Sequence, residues 1–371
     1  MTSNENTDAI AWTEKYRPRT LDQVQGQDGA MKTIEAIVRT GFRRPPLLSG
    51  PPGDGKTSTA RIAASMYLCE GTSKPCLECS TCEQIMNGGF AQSADFSAYQ
   101  EFEGGWLDES LIQERFVKPY NEGDGRLEIV MIDEVQELPG RLQGMLLKPL
   151  EMSASQSRRR FILCTSDRTR LTKALVQRCD LVSFKHVSAP DMEKILKKIS
   201  VSEQVDIAPE AVTEIIFAAG GAVREAISRF QDVYRLFPDR RIGAPEVLQG
   251  PISRSQLAAK LVCQLIKGLD YEKEFHEFSA EVMGAEIPGL VTETLCNAIR
   301  IKEGRSAQID HLPERYRTVL SGLPDHELYM FSGLLSSPDF QKLNDHNAIE
   351  LFLKSVTYRQ RSGHFDVRRT G

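Results

Sequence analysis

The sequence predicts an α/β protein, a parallel sheet flanked by helices in the first half of the chain with an all-helical remainder. Three observations carry this. Apolar runs of strand length alternate with helical periodicity from residue 1 to about 185. Two of these runs, 127–132 and 160–165, have the near-continuous apolar character of strands covered on both faces. An earlier run, Pro46–Ser49, opens straight into a glycine-rich loop and then a helical stretch, the order of a nucleotide-binding βα unit.

Beyond Ser188 the pattern changes. Met192, Ile195, Leu196 and Ile199 mark one helix face, and further helices are expected at about 209–219 and 222–236. Phe237-Pro238-Asp239 and Gly243-Ala244-Pro245 punctuate the end of this small unit. The rest is again helical by periodicity, with breaks at Pro288-Gly289, Pro313, Pro324 and Ser337-Pro338. The expected organisation is therefore a core over 1–187, a small helical unit over 188–248 and a second helical unit over 249–371.

Composition narrows the class. A chain of 371 residues with 40% hydrophobic and 26% charged residues is long enough for two or three domains. No apolar run approaches a membrane span, and residues 1–8 are polar without a signal-peptide core. A reducing cytoplasm is expected, with no membrane partner. The net charge of −5 argues against a DNA-coating protein, so nucleic-acid contact would have to come from a local basic surface.

The strongest local signal is Gly50-Pro51-Pro52-Gly53-Asp54-Gly55-Lys56-Thr57, which fits G-x-x-x-x-G-K-[ST] at every fixed position. Its glycines let backbone N–H groups close around phosphates, Lys56 can reach the β and γ oxygens, and the Thr57 hydroxyl can ligate Mg²⁺. A nucleoside triphosphate such as ATP is the expected ligand. One helix later come Cys69, Cys76, Cys79 and Cys82, with gaps of six, two and two residues. Four thiolates at this spacing suit a closed tetrahedral site, read as structural zinc. An iron–sulfur cluster is the alternative, although its usual downstream Cys before Pro is missing. Cys164, Cys179, Cys263 and Cys296 are scattered and expected in cores.

The run Ile129-Val130-Met131-Ile132-Asp133-Glu134 ends in two carboxylates, as a Walker B element does. Asp133 would act on Mg²⁺, and Glu134 would orient or deprotonate the attacking water. A third strand ends in Thr165-Ser166-Asp167, a polar tip able to hold that water or to sense a phosphate, or else an ordinary strand-to-turn transition. Arg178 and Arg224 are either stabilisers of phosphate charge or ordinary surface arginines. For contact with nucleic-acid phosphates the candidates are Arg158-Arg159-Arg160, Arg168, Arg170 and Arg141, with a solvated charge run as the plainer reading; the tail around Tyr358-Arg359-Gln360-Arg361 and Arg368-Arg369 is also basic.

Taken in order, Trp12-Thr13-Glu14-Lys15-Tyr16-Arg17-Pro18, Val24-Gln25-Gly26-Gln27, the phosphate loop, the four cysteines, Asp133-Glu134-Val135-Gln136, residues 161–167 and Gln177-Arg178-Cys179 resemble the clamp-loader branch of the AAA+ ATPases, in particular gamma/tau-type subunits of bacterial DNA polymerase III. The likeness covers residues 11 to about 250; the helical remainder matches in length and class only. It implies an AAA+ core with a small helical lid and a C-terminal helical collar. Tyr16, Arg17 and Val24 would border the adenine, and the loop from Gly50 to Ser58 would hold the phosphates. Ser166 would be sensor 1 and Arg224 sensor 2. Arg178 would reach into a neighbouring subunit's ATP site as a finger. The implied partners are other loader subunits in a hetero-oligomer, a pentamer by resemblance, together with a sliding clamp and primer-template DNA held through its phosphates. At 371 residues the chain would match the shorter, gamma-like form of that subunit. Four positions depart from the pattern: Gln177 stands for Ser, Gln136 for His, Ser166 for Thr or Asn, and Pro149 interrupts a Leu-Lys-x-Leu-Glu stretch. A non-hydrolysing structural loader subunit and a DNA-translocating AAA+ motor are the competing readings; the intact site speaks against the first and the cysteine insertion against the second.

Overall fold

A computed structural model describes residues 10–88, 98–117, 127–152, 158–238, 240–249, 254–266, 270–304, 314–322, 325–335, 337–343, 346, 348–350 and 353–354. The basic tail at 358–369 lies outside them. Contacts gather the chain into two compact units, Met1–Ile195 with Ala222–Ser228, and Leu196–Gly221 with Arg229–Gly371.

In the first unit the order is α1 (Trp12–Lys15), α2 (Asp28–Arg39), β1 (Pro46–Ser49), α3 (Lys56–Leu68), α4 (Ser80–Met86), β2 (Tyr99–Glu103), α5 (Glu109–Ile112), β3 (Glu128–Asp133), α6 (Gly140–Met152), β4 (Arg159–Thr165), α7 (Lys173–Gln177), β5 (Asp180–Ser183) and the first half of α8 (Ala189–Glu203), whose residues from Leu196 belong to the second unit. The five strands form one parallel sheet, ordered β2-β3-β4-β1-β5. Strand alternation splits its side chains between two apolar layers. Ile129, Met131, Ile162, Cys164 and Leu48 join Ile34, Ile37 and Ala63 from the helices on one face. Val130, Ile132, Phe161, Leu163 and Leu47 join Leu142, Leu146 and Leu175 on the other. Burial on both faces is why β3 and β4 read as continuous apolar runs.

Helix α3 is buried at nearly every position from Lys56 to Ser65. Its alanines, serines and threonines are small enough for close approach to the sheet, and the guanidinium in its middle, Arg61, needs a partner. Arg61 finds it in Glu101 on β2, held by two hydrogen bonds of 2.9 and 2.8 Å, with the Tyr99 hydroxyl donating to the same carboxylate at 2.9 Å. Helix α6 runs through Pro149 to Met152 with the ring buried, so this proline changes the motif without ending the helix.

Two sequence expectations for the basic residues are corrected here. Arg159 and Arg160 are neither solvated nor open to a phosphate, because both begin β4 and are only 9% exposed. Arg159 donates to Glu128, its register partner at the start of β3, and to the Arg115 carbonyl. Arg160 reaches the Gly41 carbonyl at 3.3 Å. Of the other candidates, Arg141 pairs with Glu109 and Arg170 with Glu137 on exposed surface.

The second unit contains α9 (Pro209–Ala218), the greater part of α10 (Val223–Leu236), α11 (Ala244–Gln249), α12 (Arg254–Ile266), α13 (Glu272–Glu281), α14 (Ile287–Lys302), α15 (Glu314–Ser321), α16 (Asp325–Leu335) and α17 (Pro338–Gln341). Helix α14 packs against α12, α15, α16 and α17, and Leu261, Leu265, Phe275, Phe278, Val291, Leu295 and Phe340 fill the core. An α/β sheet core followed by helices is thus present as the sequence predicts.

Removing one member of a buried ion pair leaves the other charge uncompensated. Glu128→Leu is expected to lower the unfolding free energy by about 3–5 kcal/mol in urea denaturation, and Glu128→Leu with Arg159→Leu to recover much of that loss.

Candidate functional site

At the carboxyl end of the sheet, where open parallel sheets bind ligands, lies a cleft of about 280 Å³. Tyr16, Arg17, Val24, Pro52 through Ser58, Glu103, Asp133, Glu134, Val187, Ile195 and Arg224 line it. The loop from β1 to α3 sets its floor. Gly53 and Gly55 hold φ of +82° and +93°, in the left-handed region, and a Cβ on Gly50 would stand 2.5 Å from the Phe184 carbonyl oxygen. Each glycine is therefore required by the backbone.

Lys56 is 5% exposed and its ammonium donates to the Gly50 and Pro51 carbonyls at 2.8 and 2.7 Å. Thr57 donates through Oγ1 to Asp133 Oδ2 at 2.6 Å, which joins the loop to the end of β3. Burial raises the Asp133 carboxyl above its ordinary value, against the lowering effect of the Thr57 hydroxyl. A hydroxyl and a carboxylate side by side at a phosphate loop form a hard-oxygen donor set that fits Mg²⁺. Arg17 donates to Ser58 Oγ at 3.2 Å and also pairs with Glu14, while Lys15 sits over the Tyr16 ring. The Arg224 N–H lies 3.4 Å from the Gly53 carbonyl, placing the first turn of α10 on the loop.

Asp54 is buried, and one oxygen lies 3.1 Å from His186 Nδ1, an ion pair when that ring is protonated. That contact lacks hydrogen-bond geometry, and no hydrogen bond reaches either Asp54 oxygen in the described structure.

Glu134 follows β3 with φ of +46°, unusual for a residue with a side chain. Its Oε2 accepts from the Ser166 hydroxyl at 2.7 Å, from the Ser166 N–H at 3.2 Å and from Gln136 Nε2. Burial pushes this carboxyl up, but the Gln136 and Ser166 hydrogen bonds and the Lys56 charge outweigh it, so the net shift is downward.

Among the residues singled out by sequence, Tyr16, Arg17, Val24, the loop, Asp133, Glu134 and Arg224 come together in the cleft, and Ser166 joins through Glu134. Arg178 does not. It pairs with Glu151 at 2.5 Å and donates to the Ala174 carbonyl at 2.9 Å, while Arg44 binds the carbonyls of Gln177 and Cys179 on either side. Sequence reading missed Glu103 and treated Gln136 only as a departure from pattern. Glu103 is the register partner of Asp133 on β2, a relation only the topology reveals. The signal for Gln136 was its place two residues beyond Glu134.

The four cysteines gather beyond α3, their Sγ atoms all within 4.8 Å of one another. Cys69 Sγ accepts from the N–H groups of Gly71 and Cys76 at 3.3 and 3.4 Å, Cys76 Sγ from Cys79 at 3.4 Å, and Cys79 Sγ from Cys82 at 3.5 Å. Backbone hydrogen bonds from Glu78 and Cys79 draw the Cys76 thiol down to about 6. Burial pushes Cys82 up to about 12. Four converging sulfurs with N–H groups aimed at three of them fit a tetrahedral zinc ion, which binds thiolates.

Comparison with known proteins adds kinship. A family model described as DNA polymerase III, delta subunit, matches residues 26–188. The replication factor C small subunit of Archaeoglobus fulgidus is 31% identical over 220 residues, 59% of this chain and 62% of that protein. DNA polymerase III subunit tau of Bacillus subtilis is 30% identical over 216 residues, 57% of this chain and 37% of that protein. The chain thus spans less than two thirds of the length of either relative. Among solved structures, the Thermotoga maritima RuvB Holliday junction branch migration motor superposes with a TM-score of 0.50 at 18% identity, covering 85% of this chain and 98% of that one. At that identity the likeness speaks for fold alone.

Two outcomes are expected. The purified chain should carry about one equivalent of zinc and little iron by elemental analysis, and chelation or Cys76→Ser should lower its melting temperature. A Cβ on Gly104 would meet the Glu134 carbonyl oxygen at 2.4 Å, so Gly104→Ala should cost roughly 1–3 kcal/mol of stability in urea denaturation.

Proposed function

We propose that this chain is a member of the AAA+ clamp-loader family, an ATP-hydrolysing loader subunit that opens a sliding clamp and places it on primer-template DNA during replication. The observation that carries the proposal is the single cleft that holds Lys56, Thr57, Asp133, Glu134 and Arg224 at the carboxyl edge of the sheet. A relic scaffold would have no reason to keep all five. The cysteine site directly after α3 speaks for a loader over a translocating motor.

In this reading Tyr16, Arg17 and Val24 border the adenine, and the N–H groups of the loop from Gly50 to Ser58 hold the phosphates. Lys56 exchanges two carbonyl acceptors for β and γ oxygens, a stronger charge-assisted pairing. Thr57 and Asp133 hold Mg²⁺, which supplies charge neutralisation at the phosphates. Glu134 orients or deprotonates the attacking water, Ser166 acts as sensor 1, and Arg224 stabilises phosphate charge from its own chain. Arg178 lies outside this cleft and is taken as the finger for a neighbouring subunit. A finger of this kind is typically worth about 10³ to 10⁵ in rate, so the isolated chain would be a poor ATPase.

Conformational work would come from differential binding of ATP to two subunit arrangements. Residues 188–248 would act as the lid and 249–371 as the collar of a hetero-oligomer, a pentamer by family resemblance. DNA would be held through phosphates, independently of sequence, with exposed Arg158 and Arg168 the remaining local candidates. Among the described residues no helix is long and apolar enough to cross a membrane, and a cytoplasmic site of action is proposed.

Hydrolysis should rise when primer-template DNA and clamp are added to the chain with its partners. Lys56→Ala should reduce turnover to background in a phosphate-release assay. Arg178→Ala should leave nucleotide binding intact and remove at least about 10³-fold of the assembled turnover. Turnover that survives Lys56→Ala, or that never responds to DNA and clamp, would sink this reading.

A further inference from the structure

The side chain of Gln136 is 5% exposed, and the amide it buries is fully used. The chain of donors that fixes it starts on the backbone. The Asp167 N–H donates to Thr165 Oγ1 at 3.2 Å, which leaves the Thr165 hydroxyl hydrogen to donate to Gln136 Oε1 at 2.6 Å. The orientation of the amide follows: with Oε1 committed to Thr165, the Nε2 hydrogens face Glu134 Oε2 and Ser166 Oγ, the latter at 2.8 Å. Ser166 passes its own hydroxyl hydrogen to Glu134 Oε2 at 2.7 Å. Gln136, Ser166 and Glu134 thus close a triangle around one carboxylate oxygen, anchored through Thr165 to the end of β4.

We infer that Gln136 is a positioning residue for hydrolysis: it fixes Glu134 by Oε2, so that Oε1 is the oxygen available to the attacking water. The inference rests on the ATPase reading of the cleft. Three donors converge on Oε2, and Glu134 lines the cleft. The carboxylate cannot hold that pose through its backbone alone, since a residue at φ +46° is kept there by its surroundings. Two of the three donors come from Ser166, the proposed phosphate sensor, and Gln136 ties Ser166 to the same carboxylate. Loss of Gln136 therefore removes one of the three donors on Glu134 Oε2 and the anchor of this triangle to Thr165, while leaving the direct Ser166 contacts and the phosphate loop in place.

The test uses the full chain, alone and in its assembly, with Mg²⁺ and ATP. Gln136→Leu, which keeps bulk and removes every polar contact, should lower kcat about 10- to 100-fold while the affinity for ATP stays within about twofold, the scale on which a small misplacement of a reacting group is felt. Gln136→His, which restores a ring N–H donor, should recover a substantial part of the loss. Thr165→Val should lower kcat less and should not add to Gln136→Leu. In nucleotide-free protein, urea denaturation of Gln136→Leu, Thr165→Val and their double variant should show less than additive destabilisation. A parent chain that turns over with Gln136→Leu at the same kcat, or a kcat loss matched by lost ATP affinity, or additive destabilisation, would overturn the role of Gln136. A parent chain with no turnover at all would overturn the ATPase reading instead.

Discussion

The hydrogen bond from Thr57 to Asp133 is the contact on which the arrangement of the site depends. Its two residues leave β1 and β3, strands that do not touch, because β4 runs between them. The bond therefore spans the width of a strand and can form only if the loop after β1 turns back over the carboxyl edge of the sheet. Gly50 permits that turn by letting the chain pass against the Phe184 carbonyl, and Gly53 and Gly55 complete it with left-handed backbone. Behind it α3 must lie almost flush with the sheet, which is why its buried face is built from alanine, serine and threonine and why Arg61 has to bring its own counter-charge, Glu101, from β2.

How legible this was from sequence varied with physical cause. Strands β1, β3 and β4 stand in the middle of the sheet, are buried on both faces, and announce themselves as apolar runs. The two edge strands do not. Tyr99–Glu103 alternates into charge and Asp180–Ser183 begins on a charge and buries only one of its four side chains, so neither reads as a continuous apolar run. Contiguous motifs carried most of the cleft, because a phosphate loop needs its residues in unbroken order. Glu103 and Gln136 were hidden for the opposite reason, since their positions follow from strand register and from a turn. Three consecutive arginines misled in the same way: read along the chain they are a charged surface, whereas β4 draws two of them inward to meet Glu128 and three backbone carbonyls.

Two arginines of the same chemical kind have opposite surroundings. Arg224 rides on a helix turn whose backbone meets the phosphate loop, so its place in the cleft is set by main-chain contact as well as by charge. Arg178 is held outside the cleft by Glu151, an exposed pairing of the sort that contributes little net free energy in water. The segment around it is held more firmly than its side chain, since Arg44 fastens the carbonyls on both sides. The guanidinium itself is held by that pairing and by one backbone carbonyl, Ala174.

The buried pair of Glu128 and Arg159 works as a ruler for the sheet. Both begin neighbouring parallel strands and face each other in register. A slip of one residue would carry each charge into an apolar layer and every other side chain to the wrong face. Five residues later along β3 comes Asp133, and six later along β4 comes Thr165. At roughly 3.3 Å per residue the pair sits about 16 Å from the cleft, yet it fixes how deep Asp133 and Glu134 stand against Thr165 and Ser166. The alignment of the carboxylates with the polar tip of β4 is thus set at the opposite end of the sheet, by two buried side chains remote from the cleft.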